Sequence, residues 1–404
     1  MDVLVLGNGF DLSHNLPTTY LCFLKVTEYL SNNTLKEGLT IGEIFNSVKD
    51  ECPQIKNSYN EYQSVYDNLV LDFEKIVQLS DKCVDNMWWN YFKHTYNKNV
   101  GWIDFENEIS VVIEKINCFF EKNSTPNRGF DLKKATNSIA SYFQFFVKES
   151  NPYEYQSLHE GVMLYNCSYK YNSEYIIKRD HERTAEIDRR KIAIKLFDLL
   201  KDFADILNIY FEIFVDNTIE ELKKANLIVE NDIYKEFEYV VTYNYTKTFE
   251  KIYNKSVAHI HGVINQIIVL GINPDHNDEI DGDLTFIDFK KYYQRVVNGT
   301  DLDYLKILIE MKELTEKKHQ VSLSIVGHSL DITDQDTLKE LFDASNDIRI
   351  YYHKKEKIPE YVQNLIRFFG KTKFDELRFN KNLHFLPLEK LDGPAEQVQV
   401  LHIK

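Results

Sequence analysis

The chain has 404 residues, 43% hydrophobic and 27% charged, enough apolar mass for a core that needs no disulfide or metal staple. Its net charge of −15 argues against a general nucleic-acid binder, because neutralising phosphates takes a surplus of Lys and Arg. The five cysteines (Cys22, Cys52, Cys83, Cys118, Cys167) include no C-x-x-C pair, so neither a zinc knuckle nor a dithiol redox motif is indicated and the thiols read as reduced.

No run approaches the ~20 apolar residues of a membrane span. The opening "MDVLVLG" has neither the basic start nor the long apolar stretch of a secretory signal. A soluble, cytoplasmic protein without a membrane partner is expected.

The first predicted element is a buried strand, Val3 to Leu6, followed at once by Gly7 and Gly9, then Asp11, with a helix starting near Thr18 or Thr19. A strand, a glycine turn and a helix are how dinucleotide folds present backbone N–H groups to phosphates. The G-x-G-x-x-G fingerprint is incomplete, since Leu12 stands where the third glycine belongs.

The glycine gaps from Gly42 to Gly101 and from Gly161 to Gly262 mark a helical region. "YNEYQSVYDNLVLDFEKIVQL" places Tyr62, Val65, Tyr66, Leu69, Phe73, Ile76 and Val77 on one helical face, and "KIAIKLFDLLKDFADILNIYFEIFVDNTIEEL" reads likewise. Residues 45–232 are therefore read as an all-helical insertion, with joints near 124–129 and 151–152. Strand signals then return in "YVVTYN", "VAHIHG", "IIVLG", "LSIVG", "IRIYY" and "HFLPL", separated by helical stretches such as "DYLKILIEMKEL" and "YVQNLIRFF". Continuous apolar strands of this kind predict a mostly parallel, Rossmann-like α/β sheet flanked by helices, formed by residues 1–44 and 233–404. The amino-terminal strand is expected to join this distant sheet.

Ligands of doubly wound sheets sit beyond the carboxyl ends of the strands. Those ends supply "GNGFD", Asn244, His261, Gly271 with Asn273, and Gly327, His328, Ser329, Asp331 and Asp334. Each also has a bland reading: Asn244 as a helix cap, His261 before Gly262 as a turn residue, "HSLD" with Asp334 as the start of a capped helix. Their convergence on strand ends favours a site. "HERTAE" lacks the second histidine of a zinc-protease helix, "DHNDEIDGD" has its glycine at the wrong step for an EF-hand loop, and Asp104 with Glu106 after Trp102 reads as a helix start plus packing.

"GNGFDLSHNLPTTY", "TYNYTKTFEKIY" before "HIHG", "LGIN", "FIDFKKYYQRV" and "GHSLDITD", in this order, resemble the AbiH family of bacterial abortive-infection proteins. That pattern is in turn similar to the sirtuin-like NAD-binding domains of phage defence. The resemblance implies NAD as substrate, cradled by Gly7, Asn8, Gly9, Phe10, Asp11 and Pro17. It puts Thr242 and Asn244 at the nicotinamide side, His261 before Gly262 as the catalytic histidine, and Gly327, Ser329 and Leu330 near the adenosine. His328 and Asp331 belong to the AbiH pattern alone. Thr246 stands where deacylating sirtuins carry Asp, and their four-cysteine zinc module is missing, so deacylation and a metal are not expected.

The expected activity is an NAD glycohydrolase that splits the nicotinamide–ribose bond, with a phage component as trigger. His261 would be the general base and Asn244 would orient the ribose or the water. An imidazole of pKa near ~6.5 suits that role. Two alternatives stand beside it: a non-catalytic nucleotide or phage-signal sensor, and a metal-dependent nuclease or nucleotide hydrolase built on Asp331, Asp334, His328 and Asp11. A homo-oligomer is compatible with each.

Overall fold

The computed structural model describes residues 1–98, 104–122, 143, 146–148, 169–171, 176–177, 186–273, 284–380 and 383–392. The expected joints near 124–129 and 151–152, the zinc-like "HERT" at 181–184, Cys167 and the acidic loop at 275–283 lie outside them. The chain forms two compact units, one of residues 1–79, 207–269 and 295–404, the other of residues 80–206 and 270–294.

The first unit is built on a six-stranded sheet. Its strands, in chain order, are β1 (Asp2–Leu6), β2 (Tyr239–Thr242), β3 (Ala258–His259), β4 (Ser322–Val326), β5 (Asp347–Tyr352) and β6 (Leu383–Pro387). Their spatial order is β6-β5-β4-β1-β2-β3, and every pairing is parallel. This is the 3-2-1-4-5-6 order of dinucleotide-binding doubly wound sheets. The amino-terminal strand does join the distant sheet, at its centre: Leu4 pairs with Val240 on one side and Ser324 on the other.

The central strands β1 and β2 carry apolar runs because the middle of the sheet is buried on both faces. Val3, Leu4 and Val5 are wholly buried, each removal from water contributing about 1.5–3 kcal/mol. Val3, Val5, Val241, Leu323, Ile325 and Ile350 share one core with Leu341 and Phe342 of the helix Gln335–Asp343 and Leu365 and Phe368 of the helix Ile358–Asn380. Elsewhere in this unit Cys22 and Cys52 face each other as buried thiols, Sγ to Sγ 3.3 Å.

Three local expectations are corrected. "IIVLG" is not a sheet strand: after Gly262 the chain turns back on itself, Gly262 bridging Ile268 antiparallel and Ile272 bridging Lys290. The turn removes this segment from the sheet's edge, so Gly271 and Asn273 do not mark a strand end. The run Tyr59–Leu79 is two helices, Pro53–Tyr66 and Phe73–Asp85, because Ile41 N–H and Leu69 O, and Leu71 N–H and Leu39 O, pair the intervening residues with another segment. Finally, a six-residue helix, Asn8–Ser13, follows Gly7 directly, ahead of the helix Tyr20–Asn32, whose Thr19 cap accepts from Cys22 N–H at 3.2 Å.

The second unit is mainly helical. Its aromatic core stacks Phe92 on Phe105 at 4.4 Å between ring centres, with Phe203 edge-on to both. Trp88 Nε1–H donates to Leu196 O at 3.0 Å. Asp104 caps its helix by accepting from Glu106 N–H (2.9 Å), while the Glu106 carboxylate meets buried Lys291 at 2.6 Å. The expected all-helical character is interrupted by two antiparallel ribbons, Phe146–Lys148 with Tyr169–Tyr171 and Ile176–Ile177 with Glu186–Ile187. Among the described residues no helix is long and apolar enough to cross a membrane.

Candidate functional site

In this strand order the switch point lies between β1 and β4, where successive connections leave the sheet in opposite directions. The segments leaving β1 and β4 meet there backbone to backbone. Gly7 N–H donates to Val326 O at 3.1 Å and Gly9 N–H to Gly327 O at 2.7 Å. A Cβ on Gly7 would come within 2.6 Å of His328 Cα, and one on Gly9 within 2.6 Å of Gly327 Cα. The close approach these glycines allow is thus to the β4 loop, and their N–H groups are committed to its carbonyls.

The segment leaving β2 clamps the one leaving β1. Asn244 Nδ2–H donates to Gly7 O at 3.1 Å, and the Thr246 hydroxyl to Asp11 Oδ2 at 2.6 Å. Thr242 sets up this turn by accepting from Asn244 N–H at 3.1 Å. His259, at the end of β3, is braced between Asn244 O (3.0 Å) and Glu250 (2.5 Å). Asp11 is 1% exposed, and its Oδ1 has no hydrogen-bond partner. Burial raises its carboxyl to about 6, against the lowering influence of the Thr246 hydroxyl.

The centre of the rim is a carboxylate between two imidazoles. His261 Nε2 lies 2.8 Å from Asp334 Oδ1, and His328 Nε2 lies 3.3 Å from Asp334 Oδ2. All three residues are buried. His328 Nδ1 accepts from Leu330 N–H at 2.9 Å, so its proton sits on Nε2, facing the carboxylate. The Asp334 carboxylate only accepts, so the His261 nitrogen that faces it, Nε2, carries the proton and Nδ1 is the basic atom. The Tyr243 ring packs edge-on to both imidazoles, at 5.4 Å from His261 and 4.3 Å from His328. Its hydroxyl meets Thr337 Oγ1 at 2.9 Å, and burial pushes its phenol well up. Leu330, buried with φ 55°, holds the loop in a left-handed turn that a non-glycine residue adopts only under constraint.

The rim therefore brings together Gly7, Gly9, Asp11, Thr242, Asn244, His261, Gly262, Gly327 and His328. Other sequence candidates are placed differently. Phe10 is buried against the rings of His14, Tyr234 and Phe249. Asn8 is exposed at its start but bonded to the Thr18 hydroxyl at 2.5 Å. Pro17 is buried, its carbonyl accepting from Tyr210 OH at 2.8 Å. Ser329 is exposed, its carbonyl accepting from Asn364 at 3.2 Å, and Asp331 caps a 3₁₀ turn by accepting from Thr333 N–H at 3.1 Å.

Sequence reading gave no role to His259 or Tyr243, noted Thr246 only as a departure from the sirtuin pattern, and weighed Asp334 as a strand-end site residue, a helix-start residue and a metal ligand. The motif "TYNYT" carries two of these, but only the fold shows that Thr246 reaches Asp11. Among the described residues no group of three or more His, Cys, Asp or Glu side chains is arranged to hold a metal ion. Both imidazoles present a protonated Nε2 to Asp334, and a protonated ring nitrogen has no lone pair to offer a metal.

Chemically, a carboxylate that accepts from an imidazole fixes its tautomer and stabilises the imidazolium formed when the other nitrogen takes a proton. Comparison with curated proteins and with solved structures found no match. Residues 3–353 match the family model described as "Bacteriophage abortive infection AbiH", and the chain belongs to that family.

Proposed function

We propose that this abortive-infection protein is an NAD glycohydrolase. The observation that carries the reading is the His261–Asp334 pair, held at the carboxyl ends of a sheet with the strand order of dinucleotide-binding folds. Water is the nucleophile. Its oxygen bonds to the ribose C1′ as the C1′–N bond breaks, and that bond's electron pair leaves with neutral nicotinamide. His261 Nδ1 takes the water proton, while Nε2–H stays with Asp334. Asp11 offers Oδ1 to a ribose hydroxyl, and Asn244 acts as a positioning residue by tying the β1 and β2 loops together. A phage component as trigger and assembly of a homo-oligomer accompany this reading as proposals.

Incubation of the purified protein with NAD, with and without phage lysate, tests it through free nicotinamide. Release that vanishes in His261→Ala supports the assignment, and equal release from both proteins contradicts it. The burial of the rim and the engaged N–H groups of Gly7 and Gly9 favour a second reading, a sensor that binds a nucleotide without consuming it. Recovery of bound nucleotide intact after incubation distinguishes that case.

A further inference from the structure

Arg295 lies on the helix Lys291–Asn298 and is 2% exposed. A guanidinium has five N–H donors and keeps its charge when buried. Nη2 meets Asp336 Oδ2. Nε and Nη1 are buried and have no hydrogen-bond partner, and the same holds for Asp336 Oδ1. Arginine–carboxylate pairs frequently close as a two-point fork with both carboxylate oxygens engaged. Here one contact fixes the guanidinium and leaves two donor nitrogens for another acceptor.

The surroundings are those of the rim. Thr300 N–H donates to Arg295 O at 3.2 Å, and the Thr300 hydroxyl donates to Ile260 O at 3.3 Å, the residue before His261. Asp336 follows Asp334 by one intervening residue, in the first turn of Gln335–Asp343. The charges of Arg295 and Asp336 both act on the Tyr243 hydroxyl, whose ring covers His261 and His328.

In doubly wound sheets the donors for a phosphate come from the glycine turn after the first strand. In this chain those of Gly7 and Gly9 are bonded to Val326 and Gly327 carbonyls. Neither of these two N–H groups is left for a phosphate at this rim, which turns attention to side-chain donors. We infer that Arg295, through Nε and Nη1, is the anchor for the pyrophosphate of a nucleotide ligand. The assignment rests on the nucleotide-binding reading above and does not depend on turnover.

The test is calorimetric titration of the full chain with inorganic pyrophosphate and with ADP-ribose. Arg295→Lys keeps a cation beside Asp336 and removes the planar fork, so it should stay folded by circular dichroism and bind both ligands at least about tenfold more weakly than the parent. Asp336→Asn relieves the competing carboxylate and should bind pyrophosphate more tightly than the parent, which keeps the proposal testable should the lysine variant unfold. No binding to the parent, equal binding to Arg295→Lys, or no tightening in Asp336→Asn overturns the assignment. Arginine-dependent binding without nicotinamide release supports Arg295 while refuting the glycohydrolase. Nicotinamide release with binding indifferent to Arg295→Lys does the reverse.

Discussion

Gly9 and Gly327 lie backbone against backbone, the N–H of the first donating to the carbonyl of the second at 2.7 Å. The pairing joins two segments more than three hundred residues apart in sequence, and it fixes the switch point of the sheet. It also gives the glycine motif a structural role independent of any ligand.

Alanine at either position should destabilise the fold. A Cβ on Gly9 falls 2.6 Å from Gly327 Cα, and one on Gly327 falls 2.6 Å from the Gly9 carbonyl carbon. Overpacking of this kind costs about 1–3 kcal/mol. Gly327 has φ +70°, which adds roughly 1–2 kcal/mol for a residue with a side chain. Urea unfolding should show a lower midpoint for both variants, with Gly327→Ala the more affected. Unchanged midpoints would mean that the two loops do not touch.

The buried Asp11 carboxyl should leave a signature in the pH dependence of stability. Its folded value, about 6, is above the ordinary aspartate value of 3.8. The folded state therefore holds the proton more tightly, and this contribution is fully present below pH 3.8 and lost as pH rises through 6. A difference of about two units corresponds to roughly 3 kcal/mol. Asp11→Asn does not ionise, so its stability relative to the parent should rise between pH 4 and pH 7, measured by urea denaturation across the series. A difference that stays flat would show that Asp11 is not desolvated.

The Lys291–Glu106 pair in the second unit should behave as a buried ion pair. Lys291 is 1% exposed and Glu106 8%. Removing one partner strands the other charge, which typically costs about 3–5 kcal/mol. Lys291→Met should therefore lower the unfolding midpoint sharply, and adding Glu106→Leu should recover most of the loss. A double variant no better than the single would show that the charges do not compensate each other.

Much of this frame was legible in the sequence. The six sheet strands announced themselves as apolar runs ended by polar or turn residues, because a parallel sheet covered on both faces demands continuous hydrophobicity. The rim was legible for the same reason, since strand ends are where "GNG", Asn244, His261 and "GHS" stop being apolar. "IIVLG" misled because a buried segment folding back on a loop has the composition of a strand. The break near Asp67 was hidden because the helical period continues across it. Arg295 gave no signal: in "KKYYQRVV" it looks like a solvated helix charge, and only the tertiary packing buries it.

Asp334 should prove a positioning residue whose effect passes through His261. Asparagine cannot accept from both imidazoles through two oxygens, so Asp334→Asn forces one histidine into another tautomer. NAD turnover should fall by roughly 10²–10⁴ with KM little changed, the range for a mispositioned acid–base group. A rise in KM at constant kcat would instead place Asp334 in binding.

The most direct measurement is free nicotinamide released from NAD by the purified protein and by His261→Ala, in the presence of phage lysate. The account predicts release by the parent and none above background from a variant with an unchanged circular dichroism spectrum. Release by His261→Ala at the parental rate, or NAD recovered intact from the activated parent, would contradict it.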